Sequence, residues 1–207
     1  MDFNTGTSSG RPSRRPSGGE FDYSDPLRSF VNTLPRVLFS PRTFFRGISH
    51  RRGVANPLLF AAICTLIAAV LNGIFNELAQ AVSGLRFLAT EEGMLTYVAS
   101  DFIIGMVLLV IITGIYHLFV RLLVGANNAG LEGTFRVVSY GHAVQVLGWV
   151  PLINLLAAVY ALYLFAFGFQ EVHSTTYKRA AAIAALPIVL SIPIAFLFTI
   201  FAISVLL

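Results

Sequence analysis

The stretch VVSYGHAVQVLGWVPLINLLAAVYALYLFAFGFQ, residues 137–170, contains no charged side chain. As one straight helix it would extend about 50 Å at 1.5 Å per residue, while the hydrocarbon core of a bilayer is about 30 Å thick. It is too long for one crossing. Trp149, Pro151 and Asn154 lie near its middle: an interfacial aromatic, a helix breaker and a polar turn former. The stretch is therefore predicted to fold back on itself as two antiparallel helices, about 134–150 and 151–170.

Working outward from this pair, each remaining apolar run meets the requirement of about 20 residues per crossing. Residues 57–75 open with Pro57, which an initial helical turn tolerates. Residues 102–120 follow, and their apolar run continues to Val124 past Arg121. Residues 180–207 carry no charge and two prolines, Pro187 and Pro193, which are expected to bend the helix. The expected fold is all-α: a polytopic membrane bundle of five spans (57–75, 102–124, 134–150, 151–170, 180–207) within a domain covering 53–207.

Charge placement tests the count independently. Nine of the 14 cationic residues precede Gly53. With that end inside, the loop 76–101 lies outside and holds Arg86 against Glu77, Glu91, Glu92 and Asp101. Arg121, Arg136, Lys178 and Arg179 then fall inside, as the positive-inside rule requires. Treating 137–170 as one span would move Lys178 and Arg179 outside. One variant keeps the same ends: the third and fourth helices form a re-entrant hairpin that does not cross fully.

Composition agrees. Of 207 residues, 56% are hydrophobic and 12% charged, half the charge of a typical soluble domain. The pI of about 9.6 reflects basic residues gathered before the first span, which points to anionic lipid headgroups rather than nucleic acid. Cys64, the only cysteine, excludes an internal disulfide. Residues 1–23, rich in Ser, Gly, Pro and Arg, are expected to be disordered. No cleavable apolar signal is visible there, so the first span is expected to act as an uncleaved anchor.

Residues 24–52 read as a cytoplasmic, interfacial segment of two short amphipathic helices. In the first, Ser24 or Asp25 is placed to cap, Pro26 suits the first turn, and Leu27, Phe30, Val31 and Leu34 recur at helical spacing. In the second, Ser40 and Pro41 repeat the formula before Phe44, Phe45 and Ile48. Arginine beside an apolar face suits a helix lying among headgroups; packing on the cytoplasmic ends of the spans is the compatible alternative. Arg36, Arg42, Phe44, Phe45 and Arg46 are the candidate interfacial or partner-binding residues.

VLFSPRTFFRGI before the first span, then GTFRVVSYGHA, then WVPLINLLAAVYALYLFAFGFQEVHSTTYKRAAAIAALP resemble the Yip domain family of Ypt/Rab-interacting membrane proteins over roughly residues 35–207. The positions that carry the resemblance are Pro41, Phe44, Phe45, Tyr140, Tyr160, Gly168, His173, Lys178 and Pro187. Gly141–His142 departs from the family pattern, which often has small residues and proline there. The resemblance implies five spans and a non-enzymatic role alongside protein partners. Eukaryotic relatives act with Rab-type GTPases in ER and Golgi membranes; bacterial relatives are inner-membrane proteins. Thirteen Arg against one Lys, with abundant Ala and Gly, favours a bacterial plasma membrane, with the N-terminus cytoplasmic and the C-terminus outside.

No catalytic signature is present: HExxH and GxSxG are absent. Gly125 and Gly130 have P-loop spacing, but Leu131 stands where Lys is needed. Glu91–Glu92 lacks the Arg and His motifs of paired-glutamate intramembrane proteases. No enzyme activity, cofactor or metal is expected. His117, Arg121, Arg136, His142, Glu171 and His173 are expected to converge as one polar cluster at the inner face, because ionisable groups near lipid are costly unless paired or hydrated. Mutual neutralisation of Arg121, Arg136 and Glu171 is the structural expectation; a binding or proton-responsive site is the functional one. Gln145 and Asn154 are expected to bond neighbouring helices. The favoured function is a membrane scaffold binding a membrane or cytoplasmic protein, a second copy included. The alternative is a small-solute or ion transporter.

Overall fold

The computed structural model describes residues 20–48, 53–82 and 84–206, and every regular element among them is helical. Helices α1 (Pro26–Phe39) and α2 (Pro41–Arg46) precede α3 (Ala55–Ala81) and α4 (Met94–Leu123). A 3₁₀ turn, Arg86–Leu88, lies in the α3–α4 connection. Then come α5 (Gly130–Gly141), a 3₁₀ segment (His142–Leu147), α6 (Pro151–Val172) and α7 (Tyr177–Leu206).

Among the described residues, α3, α4 and α6 are each long and apolar enough to cross a membrane. Only 39%, 22% and 28% of their apolar windows is buried within the chain. The rest faces outward: Ile103, Ile104, Val107, Val110 and Ile111 make an exposed apolar flank of α4. A soluble monomer rarely shows apolar patches beyond a few hundred Å², so this flank requires lipid. The chain is a helical membrane protein.

The first two membrane helices run further than the 57–75 and 102–124 expected from hydropathy. Polar residues extend them: Asn76, Glu77 and Gln80 continue α3, and Tyr97, Ser100 and Asp101 lie in the first two turns of α4. Asn76 closes the end where α3 and α4 connect by accepting from the Thr90 amide (2.8 Å) and donating to its carbonyl (3.2 Å). Asn72 donates to Asp101 at 3.0 Å. Two glycines set the approach of the pair. A Cβ on Gly105 would meet Thr65 Cγ2 at 2.6 Å, and one on Gly73 would meet Val98 Cγ2 at 2.8 Å. Small residues at such contacts let helices pack by dispersion, the main source of association in lipid. Cys64 is fully buried on α3. Gly125, with φ +87°, stops α4 as a left-handed residue one past the cap.

The third arm differs from the expected uniform helix over 134–150. It is 12 residues of α-helix followed by six of 3₁₀, together about 30 Å long. The join coincides with Gly141, where a Cβ would run into the Phe165 ring. Residues 133–141 of α5 are buried except for Phe135, which is partly so. Burial continues through His142, Ala143 and Val144 of the 3₁₀ segment, where protein rather than lipid surrounds the irregular backbone, while Gln145 and Leu147 are exposed. Pro151 then starts α6 at its first position. In α7, Pro187 and Pro193 both lie within one continuous helix.

The N-terminal helices pack against the bundle through Val37, Leu38, Phe44 and Phe45. Asp25 and Ser40 precede their helices as expected but make no side-chain cap bond. Near the start of α1, the Tyr23 amide donates to Asn56 Oδ1 (3.2 Å). At the far end, the Tyr160 hydroxyl donates to the Leu38 carbonyl. Tyr160 lies 12 residues from the Val172 end of α6, about 18 Å along its axis. The α1–α2 elbow is thus fastened to α6 well inside that helix's end. An aromatic knot secures it: Phe44 and Phe60 each meet Tyr140, at 4.9 and 5.1 Å between centroids, and Phe21 and Phe30 meet Phe60. Gly168 admits α2 and α5 to α6, since a Cβ there would meet Val137 Cγ1 at 2.5 Å and Phe45 Cζ at 3.2 Å. Residues 20–23, the described part of the segment expected to be disordered, are held against the bundle. Phe21 is in the core and Glu20 is bonded to α5; residues 1–19 lie outside the described residues, as do Arg51 and Arg52.

Candidate functional site

The six residues expected to form one cluster divide among four separate arrangements, and Arg121 belongs to none of them. His117 and His173 are the only two that meet, and they do so through Thr134. Asn128 first shapes the loop entering α5: its amide bonds the Gly125 carbonyl (2.6 Å) and the Gly130 amide (2.7 Å). This presents the Ala129 amide to His173 Nδ1 at 3.2 Å. At the end of α6, Ser174 takes φ +49° and the Thr175 amide returns to the Gln170 carbonyl (3.1 Å). That Schellman-type ending aims His173 inward.

The donor at His173 Nδ1 fixes the tautomer. A neutral His173 carries its proton on Nε2 and donates to Thr134 Oγ1 (3.3 Å). The nearer acceptor for the Thr134 hydroxyl is His117 Nδ1, at 3.0 Å against 3.4 Å to the Gly130 carbonyl. A directed chain results, from the Ala129 amide through His173 and Thr134 to half-buried His117. Burial, and secondarily the charge of His117, push the His173 pKa down to about 4 from an ordinary 6.5. The chain is thus built around a neutral imidazole.

Arg136 stands in a second group. Its guanidinium bonds Glu20, the Gly53 carbonyl (2.7 Å) and Glu132 (3.2 Å), and Glu132 accepts from the Gly53 amide (2.6 Å). Buried Arg136 therefore ties two points of the pre-span chain to α5. Glu171 belongs to a third group: Arg42 Nε bonds Oε1 and Arg46 bonds both oxygens, each at 3.2 Å. The expected mutual neutralisation of Arg121, Arg136 and Glu171 gives way to these local partners because the N-terminal helices pack between them. Arg121 is exposed on α4. Phe44 and Phe45, expected to face a membrane or partner, are buried; Arg36, Arg42 and Arg46 do face outward.

His142 lies deeper, with Nδ1 donating to the Val138 carbonyl (2.9 Å). It lines a cavity of about 330 Å³ together with Tyr116, Gln145, Asn154, Phe165 and Ile188. Gln145 bonds a neighbouring helix, as expected, accepting from Thr65 at 3.4 Å. Glu20, Thr134 and Glu132 were not singled out from the sequence. The Glu-Phe-Asp-Tyr run directly after SSGRPSRRPSGG marks a change in composition that signals where order begins. Among the described residues, no group of three or more His, Cys, Asp or Glu is placed to hold a metal ion.

No curated protein and no solved structure matches the chain. A family match does exist, and it spans the α1–α2 elbow, the Phe44–Tyr140–Phe60 part of the aromatic knot, the His173–Thr134–His117 chain and most of α7. Residues 36–199 match the Yip1 domain, so the chain belongs to the Yip1 domain family.

Proposed function

We propose that the protein is a non-enzymatic, five-span scaffold that holds another membrane protein against its N-terminal helices. One observation carries this reading. Helix α1 is fixed to the bundle through Thr33, Val37 and Leu38, yet leaves Leu27 (82% exposed) and Val31 (68%), one turn apart, and Phe39 (81%) at its end facing outward, beside Arg28 and Arg36. A rigid apolar stripe flanked by cations suits a partner's transmembrane or amphipathic helix, since i, i+4 anchors are how helices read one another.

The five-span count rests on α3, α4, α6 and α7 together with the roughly 30 Å arm of α5 and its 3₁₀ continuation. With the Arg-rich end cytoplasmic, the C-terminus lies outside. The Arg bias favours a bacterial plasma membrane. A compartment-specific reporter joined after Leu207 tests the layout: signal from a cytosol-only reporter would reverse it.

For the scaffold itself, the test is co-purification in mild detergent. Replacing Leu27, Val31 and Phe39 by Ser should remove a membrane partner that the wild type retains, with the fold unchanged. An identical set of partners would sink the proposal. The His142–Gln145–Asn154 cavity favours a second reading, small-solute transport. Proteoliposome flux that His142→Ala abolishes would select it.

A further inference from the structure

We propose that the groove between the α1–α2 elbow and α6 binds one acyl chain of an anionic glycerophospholipid, whose phosphate Arg42 holds. The groove has a volume of about 600 Å³ and is lined by Leu38, Phe39, Pro41, Leu147, Tyr160 and Tyr163. Within it, the Tyr160 hydroxyl is already satisfied by the Leu38 carbonyl. The surface therefore offers a chain apolar contact without stranding a donor.

From the groove, a continuous row of rings leads toward the charged end. Tyr160 meets Tyr163 at 5.7 Å, Tyr163 meets Phe167 at 4.7 Å, and Phe167 meets Tyr177 at 5.4 Å between centroids. Tyr160, Tyr163, Phe167 and Glu171 share one face of α6 by their spacing. From Tyr160 to Glu171 is about 16 Å, half of the roughly 30 Å hydrocarbon thickness, the depth that one leaflet's chains fill.

Charge at the top of the row commits the occupant to an anionic headgroup. Arg42 and Arg46 share the single carboxylate of Glu171, which leaves one net positive charge. Arg42 gives Glu171 only its Nε and lies over the Phe167 ring at 5.9 Å. The edge of its guanidinium formed by the two Nη groups is a second fork, of the kind that grips a phosphate bidentately. Both arginines are accessible, with side chains 57% and 63% exposed.

Native mass spectrometry of the full chain in detergent tests this, with phosphatidylglycerol or phosphatidylcholine of the same acyl chains added. The wild type should retain one phosphatidylglycerol about fivefold better than phosphatidylcholine, the gain expected for one uncompensated cation. Arg42→Gln leaves the neutral Arg46–Glu171 pair intact and should erase that preference. Leu147→Trp fills the groove far from the charges and should reduce retention of both lipids. Equal retention of both lipids by the wild type overturns the proposal without any variant. So does unchanged retention by folded Leu147→Trp, or a second copy of the chain occupying the elbow in place of lipid.

Discussion

The α3–α4 hairpin and the α5–α6 arm solve the same problem by opposite means. The hairpin is two long regular helices of 27 and 30 residues, brought close by Gly73 and Gly105. The side-chain hydrogen bonds that close the hairpin on itself lie at its connecting end, at Asn72, Asn76, Gln80, Thr90 and Asp101. The α5–α6 arm is short and changes helix type partway, and it buries Arg136, Thr134, Ser139 and His142. It tolerates this because α2, α3 and α4 pack around α5. A membrane helix exposed to lipid must satisfy its own backbone, whereas one sheathed by protein is free to carry charge and irregular geometry.

The sharpest way to break that contrast is to remove the charge the sheath was built around. Arg136→Met should lower stability by about 3–5 kcal/mol, because Glu20 and Glu132 are left without their buried counter-charge; unfolding monitored in detergent reads this out. A comparable loss on replacing Ile111, on the lipid-facing flank of α4, would erase the distinction. Ile111→Leu should instead lie within about 0.5 kcal/mol of wild type.

The next effect is one of pH. Because the folded state holds His173 near 4 rather than 6.5, its contribution is complete above pH 6.5. It is lost as pH falls toward 4, by about 2–3 kcal/mol. Apparent melting temperature measured across this window should fall in the wild type and stay flatter in His173→Gln. A parallel fall in both would remove the His173–Thr134–His117 chain from the account.

Smaller effects sharpen the comparison. Gly168→Ala pushes a methyl into Val137 and Phe45 together and should cost about 1–3 kcal/mol. Ser174→Gly relieves a left-handed backbone and should stabilise by about 0.5–1 kcal/mol. If Gly168→Ala were neutral, the close seating of α2 and α5 on α6 would be wrong.

The hairpin was the legible half in sequence. Hydropathy located α3, α4 and α6, and the Trp149–Pro151 break correctly divided residues 137–170. It understated helix length because Asn76, Glu77 and Asp101 are polar, while a helix leaving the hydrocarbon keeps its backbone bonds. The α5–α6 arm was less legible. No periodicity separates α-helix from 3₁₀ at Gly141, since that change depends on Phe165, 24 residues away in sequence. His117 and His173 could be placed at one level by counting turns. Thr134 between them had no signature, and Glu171 found Arg42 and Arg46 only because α2 folds back onto α6. Charge pairing across 125 residues or more is a tertiary fact that local pattern does not encode.

Cys64, enclosed on α3 and the chain's only thiol, has a practical consequence. An alkylating reagent applied to intact membranes should leave the native chain unmodified. Any cysteine installed at Phe87, in the exposed connection between the first two membrane helices, would then report by itself which compartment that connection meets.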